Sequence, residues 1–473
     1  MSIVQSVSGL RATLDELTPE LITKYVNAYF KFVCNIHKNQ QDKTIVIGRD
    51  GRPSGLWIEK TITQKLNQLG CNVEIIGIVP TPTVQLMVEK TTAIGGIAIT
   101  ASHNPSNWNG LKFLNSKGIF LDAEENELFW SFLESKNTIQ ENNNMQLFVD
   151  NNVTINNSIV NDAIAQHIDL LFEIPFIKKE IENIVAKKFN IVVDAVNAAG
   201  SKAVVKLVER LGCNCIPLFC DGSGIFPHTP EPLPENLTEI SNFIKEKNSN
   251  FIGICVDPDA DRLVLIDETG NPIGEEKTIC IAIDSYFSLN KNAENKFVIV
   301  NQSTTMLADI VAEKHRAKIE RSAVGEINVV KKMFEVNAVI GGEGSGGVIL
   351  PECHYGRDSL VGIMLTLAFL AKKNISLKQL SDSYQKLEMV KSKYDFVGNK
   401  EDVYNKIIEN QATTNENQSS KISLIDGIKI TYENSWIHIR TSNTEPIIRI
   451  IAEAATKEEA KSLINKTLNC INN

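Results

Sequence analysis

A serine followed at once by polar turn residues, in Thr100-Ala101-Ser102-His103-Asn104-Pro105, ends the apolar run Gly96-Ile97-Ala98-Ile99. A side chain that leaves a strand end faces the edge where α/β proteins place their binding sites, so the Ser102 hydroxyl is positioned to carry a phosphoryl group. The same residues also suit a turn that only stops the strand. A phosphoserine adds about two negative charges near neutral pH and calls for a cation beside it. Asp257, Asp259 and Asp261, in Asp257-Pro258-Asp259-Ala260-Asp261-Arg262, have the chemistry for that cation. Alternate residues of an extended segment point to one face, and three converging carboxylates favour a hard divalent ion, with magnesium the natural candidate. An EF-hand loop also alternates acids and would find Glu268 at its last position, but Arg262 stands where its turn glycine belongs. A solvated acidic turn is the other structural reading, opposed by the apolar runs at 252–256 and 263–266.

Two further segments are polar in a purposeful way. In Gly342-Glu343-Gly344-Ser345-Gly346-Gly347 the glycines let a backbone approach a ligand, and Glu343 and Ser345 can bond to hydroxyl groups. A flexible turn after residues 338–340 explains the glycines equally well. Arg440-Thr441-Ser442-Asn443-Thr444-Glu445-Pro446 combines a guanidinium with the hydroxyl and amide groups of Ser442, Asn443 and Thr444, donors suited to an anion. Its structural reading is a polar connection between two strands.

In this order the four segments resemble the α-D-phosphohexomutases, the family of phosphoglucomutase, phosphomannomutase and phosphoglucosamine mutase, and the resemblance spans nearly the whole chain. It implies that Ser102 is a phosphoserine that donates and recovers a phosphoryl group, with His103 and Asn104 supporting its loop. By the same resemblance Ser102 and the three aspartates bind Mg2+, Arg262 contacts a phosphate or the sugar, and Glu343 and Ser345 bind the sugar. Arg440, Ser442, Asn443 and Thr444 then hold the non-reacting phosphate. Arg11, in Gly9-Leu10-Arg11-Ala12, matches a family motif in which Ala12 replaces a frequent glycine. Lys112, in Asn109-Gly110-Leu111-Lys112, falls where family members carry a lysine for proton transfer or charge stabilisation. Gly347 occupies a position where many members have histidine, and Arg449 is expected to be peripheral.

The implied reaction interconverts hexose 6-phosphate and hexose 1-phosphate through a hexose bisphosphate, which serves as activator and intermediate. The sugar-loop form and Pro230-Glu231-Pro232-Leu233-Pro234-Glu235-Asn236 lean slightly toward glucosamine phosphate, with glucose and mannose phosphates as alternatives. Two other readings remain: a phosphatase or bisphosphate synthase that uses the same residues, and a non-catalytic sugar-phosphate sensor. The joint presence of the serine and the acids weighs against the sensor.

Elements must carry these residues. Residues 44–70, 190–212 and 297–316 repeat one plan, in which an apolar strand runs through a short polar or Gly-bearing loop into an amphipathic helix. Such alternation implies α/β layers. We expect three related α/β domains with mixed sheets and a smaller α+β C-terminal lid around a central cleft: 1–150 with the phosphoserine, 151–270 with the metal loop, 271–388 with the sugar loop and 389–473 with the phosphate loop. Boundaries are expected in the Asn-rich residues 137–157, near Gly270-Asn271-Pro272 and at 385–393. In the last segment, 422–430, 436–440 and 447–451 read as strands and 457–468 as a helix.

A chain of 473 residues is too long for one core, since one domain takes roughly 150 residues. Hydrophobic residues at 43% and charged residues at 22% exclude a disordered or fibrous class. A net charge of -9 without a long Lys/Arg run argues against a nucleic-acid backbone as the main partner. The run at 360–371 suits a buried helix rather than a membrane crossing, so no membrane partner is expected. Met1-Ser2-Ile3-Val4-Gln5 lacks the pattern of a secretory signal. The nine cysteines lack the paired spacing of a zinc site, Cys213 and Cys215 reading as core residues, and a cytoplasmic enzyme with reduced thiols follows. His228 and His354 suit the cleft or a hydrogen-bonded structural role, while His37, His167, His315 and His438 carry no signal.

Overall fold

β-Branched runs become strands where both faces are covered, and those at 45–47, 97–99, 191–193 and 298–300 are fully or almost fully buried strand segments. The computed structural model describes residues 3–134, 155–247, 250–291, 293–396, 398–414, 420–441 and 447–472. The Asn-rich segment lies outside the described residues up to position 154. By internal packing the chain forms two compact units, the first Met1–Thr278 with Gly346–Lys378, the second Ile279–Ser345 with Gln379–Asn473.

The first unit opens with β1 (Ile3–Ser6), β2 (Gly9–Thr13), α1 (Pro19–Ile36), β3 (Thr44–Arg49), α2 (Gly55–Gln68), β4 (Asn72–Ile78), α3 (Thr81–Lys90), β5 (Gly95–Ile99), β6 (Trp108–Asn115), α4 (Ala123–Glu134) and β7 (Ser158–Ile159). Their seven-stranded sheet runs β1-β2-β6-β5-β3-β4-β7. It is mixed: β3 lies parallel to β4 and β5, while β6 runs antiparallel to β5 and β2. Tyr29, Phe32, Phe113 and Phe129 build an aromatic core between α1, β6 and α4. The antiparallel return of β6 matters for function, because it sets Lys112 opposite Ala98 and Gly110 opposite Arg11, close to the Ser102 loop.

Next come α5 (Ala163–Glu173), α6 (Pro175–Lys178), α7 (Ile181–Lys187), β8 (Asn190–Asp194), α8 (Gly200–Arg210), β9 (Asn214–Phe219), α9 (Thr238–Lys247), β10 (Phe251–Val256) and β11 (Leu263–Ile266). The sheet order is β11-β10-β8-β9, with β10 and β9 parallel to β8 and β11 antiparallel to β10. Residues 257–262 are therefore the connection between β10 and β11.

The helix α10 (Glu276–Leu289) leads to β12 (Phe297–Asn301), α11 (Leu307–Lys314), β13 (Lys318–Ser322), α12 (Glu326–Val336) and β14 (Ile340–Glu343). Within the second unit β12 pairs in parallel with β13 and β14. The chain then returns to the first unit with β15 (Gly347–Ile349) and α13 (Ser359–Lys373), followed by α14 (Leu377–Ser383). Residues 359–370 of α13 are buried, as the apolar run predicts. Among the described residues no single helix is long and apolar enough to cross a membrane.

The C-terminal part is β16 (Glu388–Asp395), α15 (Lys400–Thr414), β17 (Lys421–Ser423), β18 (Ile428–Thr431), β19 (Trp436–Thr441), β20 (Ile447–Ala454) and α16 (Lys457–Asn472), with an antiparallel sheet β16-β20-β19-β18-β17. The expected single strand at 422–430 is instead a hairpin of β17 and β18. Gly427 has φ +72 and a Cβ there would stand 2.2 Å from the Ile439 carbonyl oxygen, so the chain turns where only glycine fits. Within the second unit, Lys429 Nζ donates to the Gln302 carbonyl (2.7 Å) and Glu453 Oε2 accepts from both Met306 N and Trp436 Nε1 (2.7 Å each). These bonds fasten the C-terminal sheet to the β12–α11 segment.

Candidate active site

Ser102 follows β5 in the left-handed backbone region, φ +50, and is buried. Its amide donates to Thr100 Oγ1 (2.8 Å), and Thr100 Oγ1 donates to Asp50 Oδ2 (2.7 Å). The turn is held from inside by Arg52. That guanidinium is fully buried and serves five acceptors: Asp50 Oδ2 (3.0 Å) and the carbonyls of Pro105 (2.8 Å), Trp108 (3.1 Å), Ser102 (2.6 Å) and Asn104 (2.7 Å). A planar fork with fixed donor directions is the side chain that can satisfy so many carbonyls at once. In the sequence, Gly48-Arg49-Asp50-Gly51-Arg52 is only the loop of the 44–70 strand-loop-helix unit, and the Asp-x-Arg pair directly after a buried strand is its one local signal.

The Ser102 hydroxyl donates to Asp257 Oδ2 at 3.0 Å, and His103 Nδ1 lies 3.3 Å away. Asp257, Asp259 and Asp261 are buried and each offers an oxygen within 4.8 Å of the others. They converge through a turn, not through the expected extended segment. Ala260 N donates to the Asp257 carbonyl (2.9 Å) and Ala260 has φ +49, which curls the chain so that the carboxylates share one side. Glu268 takes no part in such a loop; its oxygens accept from the Leu377 and Lys378 amides (2.7 and 2.9 Å).

Cations surround the acids. Lys112 Nζ donates to Asp259 Oδ2 (2.6 Å) and Asp261 Oδ2 (3.2 Å), and Thr81 Oγ1 adds a bond to Asp259 Oδ2 (2.7 Å). Arg357 Nη2 donates to Asp261 Oδ2 (2.6 Å), a contact that sequence reasoning missed because 95 residues of intervening chain hide it. Arg262 stands 3.9 Å from both Asp261 and Glu231, and Arg11 Nη1 donates to Asn104 Oδ1 (3.1 Å) in the serine turn. Gly347, the departure from the family pattern, packs directly on Arg357: a Cβ there would lie 2.3 Å from Arg357 Cδ.

Ionisation follows from these contacts. Burial works against charge on all three acids, yet Lys112 holds Asp259 well below the usual carboxylate range and Arg357 holds Asp261 down. Asp257, with two anionic neighbours and no close cation of equal strength, is pushed up by burial and by Asp261 and Asp259. Burial alone would lower Lys112, but Asp259 and Asp261 outweigh it and raise its pKa, so it is a cation at neutral pH. His103 is lowered to about 2, first by burial and then by Arg262 and Arg11, and is therefore neutral with a free lone pair.

A divalent cation fits this loop. Asp259 Oδ1 and Asp261 Oδ1 are buried and have no hydrogen-bond partner, the latter standing 3.9 Å from Arg262 Nε, and both belong to the loop whose Asp257 accepts from Ser102. Oxygen-only donors of this kind select a hard ion such as Mg2+.

In the second unit Glu343 Oε1 accepts from Asn301 Nδ2 (2.7 Å) and the Gly325 amide (3.0 Å), and Ser345 is half-buried. Arg440 pairs with Asp426 through Nε at 3.3 Å. Ser442, Asn443 and Thr444 lie outside the described residues. The first unit thus gathers Arg11, Ser102, His103, Lys112, the three aspartates and Arg262. His354 is buried against Asp358, and His228 Nε2 pairs with Asp194 Oδ2 (2.9 Å). All nine cysteines are free, and Cys213 is a buried thiol pushed up to about 12 by burial and by Cys215.

At the end of a mixed α/β sheet, a buried serine is thus hydrogen-bonded to one of three buried carboxylates. The chain matches the phosphoglucomutase/phosphomannomutase family in four consecutive parts: alpha/beta/alpha domain I over residues 3–139, domain II over 166–270, domain III over 275–387 and the C-terminal domain over 390–469. It is 32% identical to a phosphoglucomutase/phosphomannomutase of Thermococcus kodakarensis, covering 95% of this chain and 94% of that one. It is 31% identical to a phosphoglucosamine/phosphogalactosamine mutase of Sulfurisphaera tokodaii, covering 97% and 96%. Its fold superposes on a phosphoglucomutase/phosphomannomutase family protein of Burkholderia thailandensis with TM-score 0.79 at 22% identity, covering 99% and 98%. It also superposes on an Aspergillus fumigatus N-acetylphosphoglucosamine mutase, solved in complex with GlcNAc-6P and magnesium, with TM-score 0.60 at 14% identity, covering 99% and 95%. The chain belongs to the phosphoglucomutase/phosphomannomutase family, whose four domains it carries in order.

Proposed function

We propose that this chain is a phosphohexomutase that interconverts hexose 6-phosphate and hexose 1-phosphate through phosphorylated Ser102 and a hexose bisphosphate, with glucosamine phosphate as the preferred substrate. The observation that carries the reading is the Ser102 hydroxyl, 3.0 Å from Asp257 Oδ2 beside two unpartnered carboxylate oxygens. Relatives named for phosphoglucosamine support the substrate preference, and the Thermococcus relative keeps glucose and mannose phosphates as the alternative.

Mg2+ would be held by Asp257, Asp259, Asp261 and an oxygen on Ser102, and when bound it supplies charge neutralisation at the phosphoserine. The chain's own residues do the rest. In the forward half, the Oγ–phosphorus bond of phosphoserine 102 breaks as the free sugar hydroxyl bonds to phosphorus; that hydroxyl gives up its proton and the freed Ser102 oxygen takes one up. The bisphosphate then turns end for end, and its other phosphate returns to the Ser102 oxygen. In that return the Ser102 hydroxyl, which donates to Asp257 Oδ2, gives up its proton as its oxygen bonds to phosphorus, and the sugar oxygen that leaves takes one up. Lys112, held as a cation, and Arg262 balance charge developing on the transferred group. Arg11 orients the serine turn through Asn104. Sugar recognition is assigned to Glu343 and Ser345, and the non-reacting phosphate to Arg440, Ser442, Asn443 and Thr444. The hexose bisphosphate also primes an enzyme whose serine has lost its phosphate. We place the reaction in the cytoplasm, where nine free thiols stay reduced.

The test supplies glucosamine, glucose or mannose 6-phosphate with a trace of the matching bisphosphate and follows the 1-phosphate. Turnover that is fastest with glucosamine phosphate and absent in Ser102→Ala supports the reading. Stoichiometric release of inorganic phosphate would indicate a phosphatase, and Ser102→Ala with intact isomerisation would remove the serine from the chemistry.

A further inference from the structure

A second group of metal-binding side chains lies in the first unit. His167 on α5, Cys353 and His354 in the turn after β15, and Asp358 at the start of α13 each bring a ligand atom to within 4.8 Å of the others. All four are buried, His167 and Asp358 at 0% exposure, His354 at 2% and Cys353 at 6%. Hydrogen bonding alone does not account for them. His167 Nε2 and His354 Nε2 lie 2.8 and 3.1 Å from the same oxygen, Asp358 Oδ2, so without an ion both nitrogens must carry their ring's proton. Cys353 Sγ lies 3.9 Å from His167 Nε2, a nitrogen that then has no lone pair to offer the thiol proton. The Asp358 oxygen can accept both N–H groups, which leaves the Cys353 thiol proton without an acceptor at His167 and His354 Nδ1 buried with no hydrogen-bond partner. A cation at that point turns all four into lone-pair donors.

The surroundings orient the set. Asp358 Oδ1 caps α13, accepting from the Leu360 and Val361 amides (2.8 and 3.4 Å), which fixes the carboxylate and leaves Oδ2 to face the imidazoles. His167 Nδ1 lies 2.9 Å from Thr83 Oγ1 on α3. With an ion on Nε2, the ring proton moves to Nδ1 and is donated to Thr83, the outer hydrogen bond that orients a metal-bound imidazole. Mixed N, O and S donors suit zinc and exclude the oxygen-seeking Mg2+ and Ca2+. Bonds of about 2.0–2.3 Å give tetrahedral ligand separations of about 3.3–3.8 Å, so shifts on the order of half an ångström would close the site.

We propose that His167, Cys353, His354 and Asp358 form a structural Zn2+ site that joins α5, the 353–354 turn and the start of α13. Four protein ligands leave no open position for a substrate. The site braces the aspartate loop from behind. Arg357, next to the ligand Asp358, bonds to Asp261, and Thr81, on the same helix as Thr83, bonds to Asp259.

The test uses the full chain, produced in zinc-supplemented medium, freed of loose ions on a chelating resin and measured by elemental mass spectrometry. About one zinc per chain is expected, since one tetrahedral site holds one ion. Replacing zinc by Co2+ should give a thiolate-to-cobalt charge-transfer band in the near ultraviolet, which Cys353→Ala abolishes. The aspartate loop contains no sulfur and cannot produce that band. Wild-type protein that retains no zinc and gives no thiolate band on cobalt titration overturns the proposal, whether or not the variants fold. Folded Cys353→Ala that keeps the band also overturns it, as does full zinc retention in folded His354→Gln.

Discussion

Replacing Arg52 by lysine tests whether the serine turn is held by a fork or merely by a charge. Arg52 donates to Asp50 Oδ2 and to four carbonyls, of residues 102, 104, 105 and 108, and is almost wholly buried. Lysine keeps the charge that Asp50 requires but has three donors on one atom, so at least two of the five acceptors lose their partner. Hydrogen bonds to charged groups contribute about 1.5–3 kcal/mol each, giving a loss of roughly 3–6 kcal/mol in the first unit. Arg52→Ala should cost at least as much, because it also leaves Asp50 buried without its cation, a penalty of about 3–5 kcal/mol. If the turn relaxes by about 1 Å, turnover should fall on the order of 100-fold. KM should change little, since Arg52 is expected to touch no substrate. The assay is urea unfolding paired with steady-state kinetics on glucosamine 6-phosphate. An Arg52→Lys protein with the wild-type unfolding midpoint and turnover within about twofold of wild type would refute the reasoning.

Gly347→His, the residue that the family resemblance leads us to expect there, should displace Arg357, whose Cδ would lie 2.3 Å from the new Cβ. Losing the Arg357–Asp261 bond should cost about 1.5–3 kcal/mol, read as a lower melting temperature, and an unchanged melting temperature would contradict the packing argument. His228 is subject to lowering by burial, but Asp194 outweighs this and raises it above 6.5. Its stabilising contribution should therefore be complete below pH 6.5 and lost as pH rises through the raised value, a dependence that His228→Gln should remove from melting curves. A wild-type pH profile identical to that of His228→Gln would count against it. Adding Mg2+ to chelator-treated protein should stabilise it by about 2.7 kcal/mol at a hundred times the dissociation constant. Asp257→Asn should blunt that shift, and equal melting temperatures with and without Mg2+ in the wild type would rule out the ion site.

The strands were legible because their residues are covered on both faces: Ile45-Val46-Ile47 and Ile191-Val192-Val193 can sit nowhere else. The split of 422–430 into two strands was not, since Leu424 and Ile425 continue the apolar run while the turn rests on the φ of one glycine, Gly427. Ser102 and the aspartates announced themselves by residue type. Their geometry did not, because a left-handed Ala260 is invisible in a sequence. Arg52 and Arg357 act through buried polar contacts to distant segments, and such contacts leave no local pattern. His167 is separated from Cys353 by 186 positions, which is why a search for paired metal-ligand spacing passes over that quartet.

The positive φ of Ser102 puts a cost on changing the alcohol. A threonine there would bring a methyl branch into a backbone region that β-branched residues seldom occupy, so serine is the less strained nucleophile at this position.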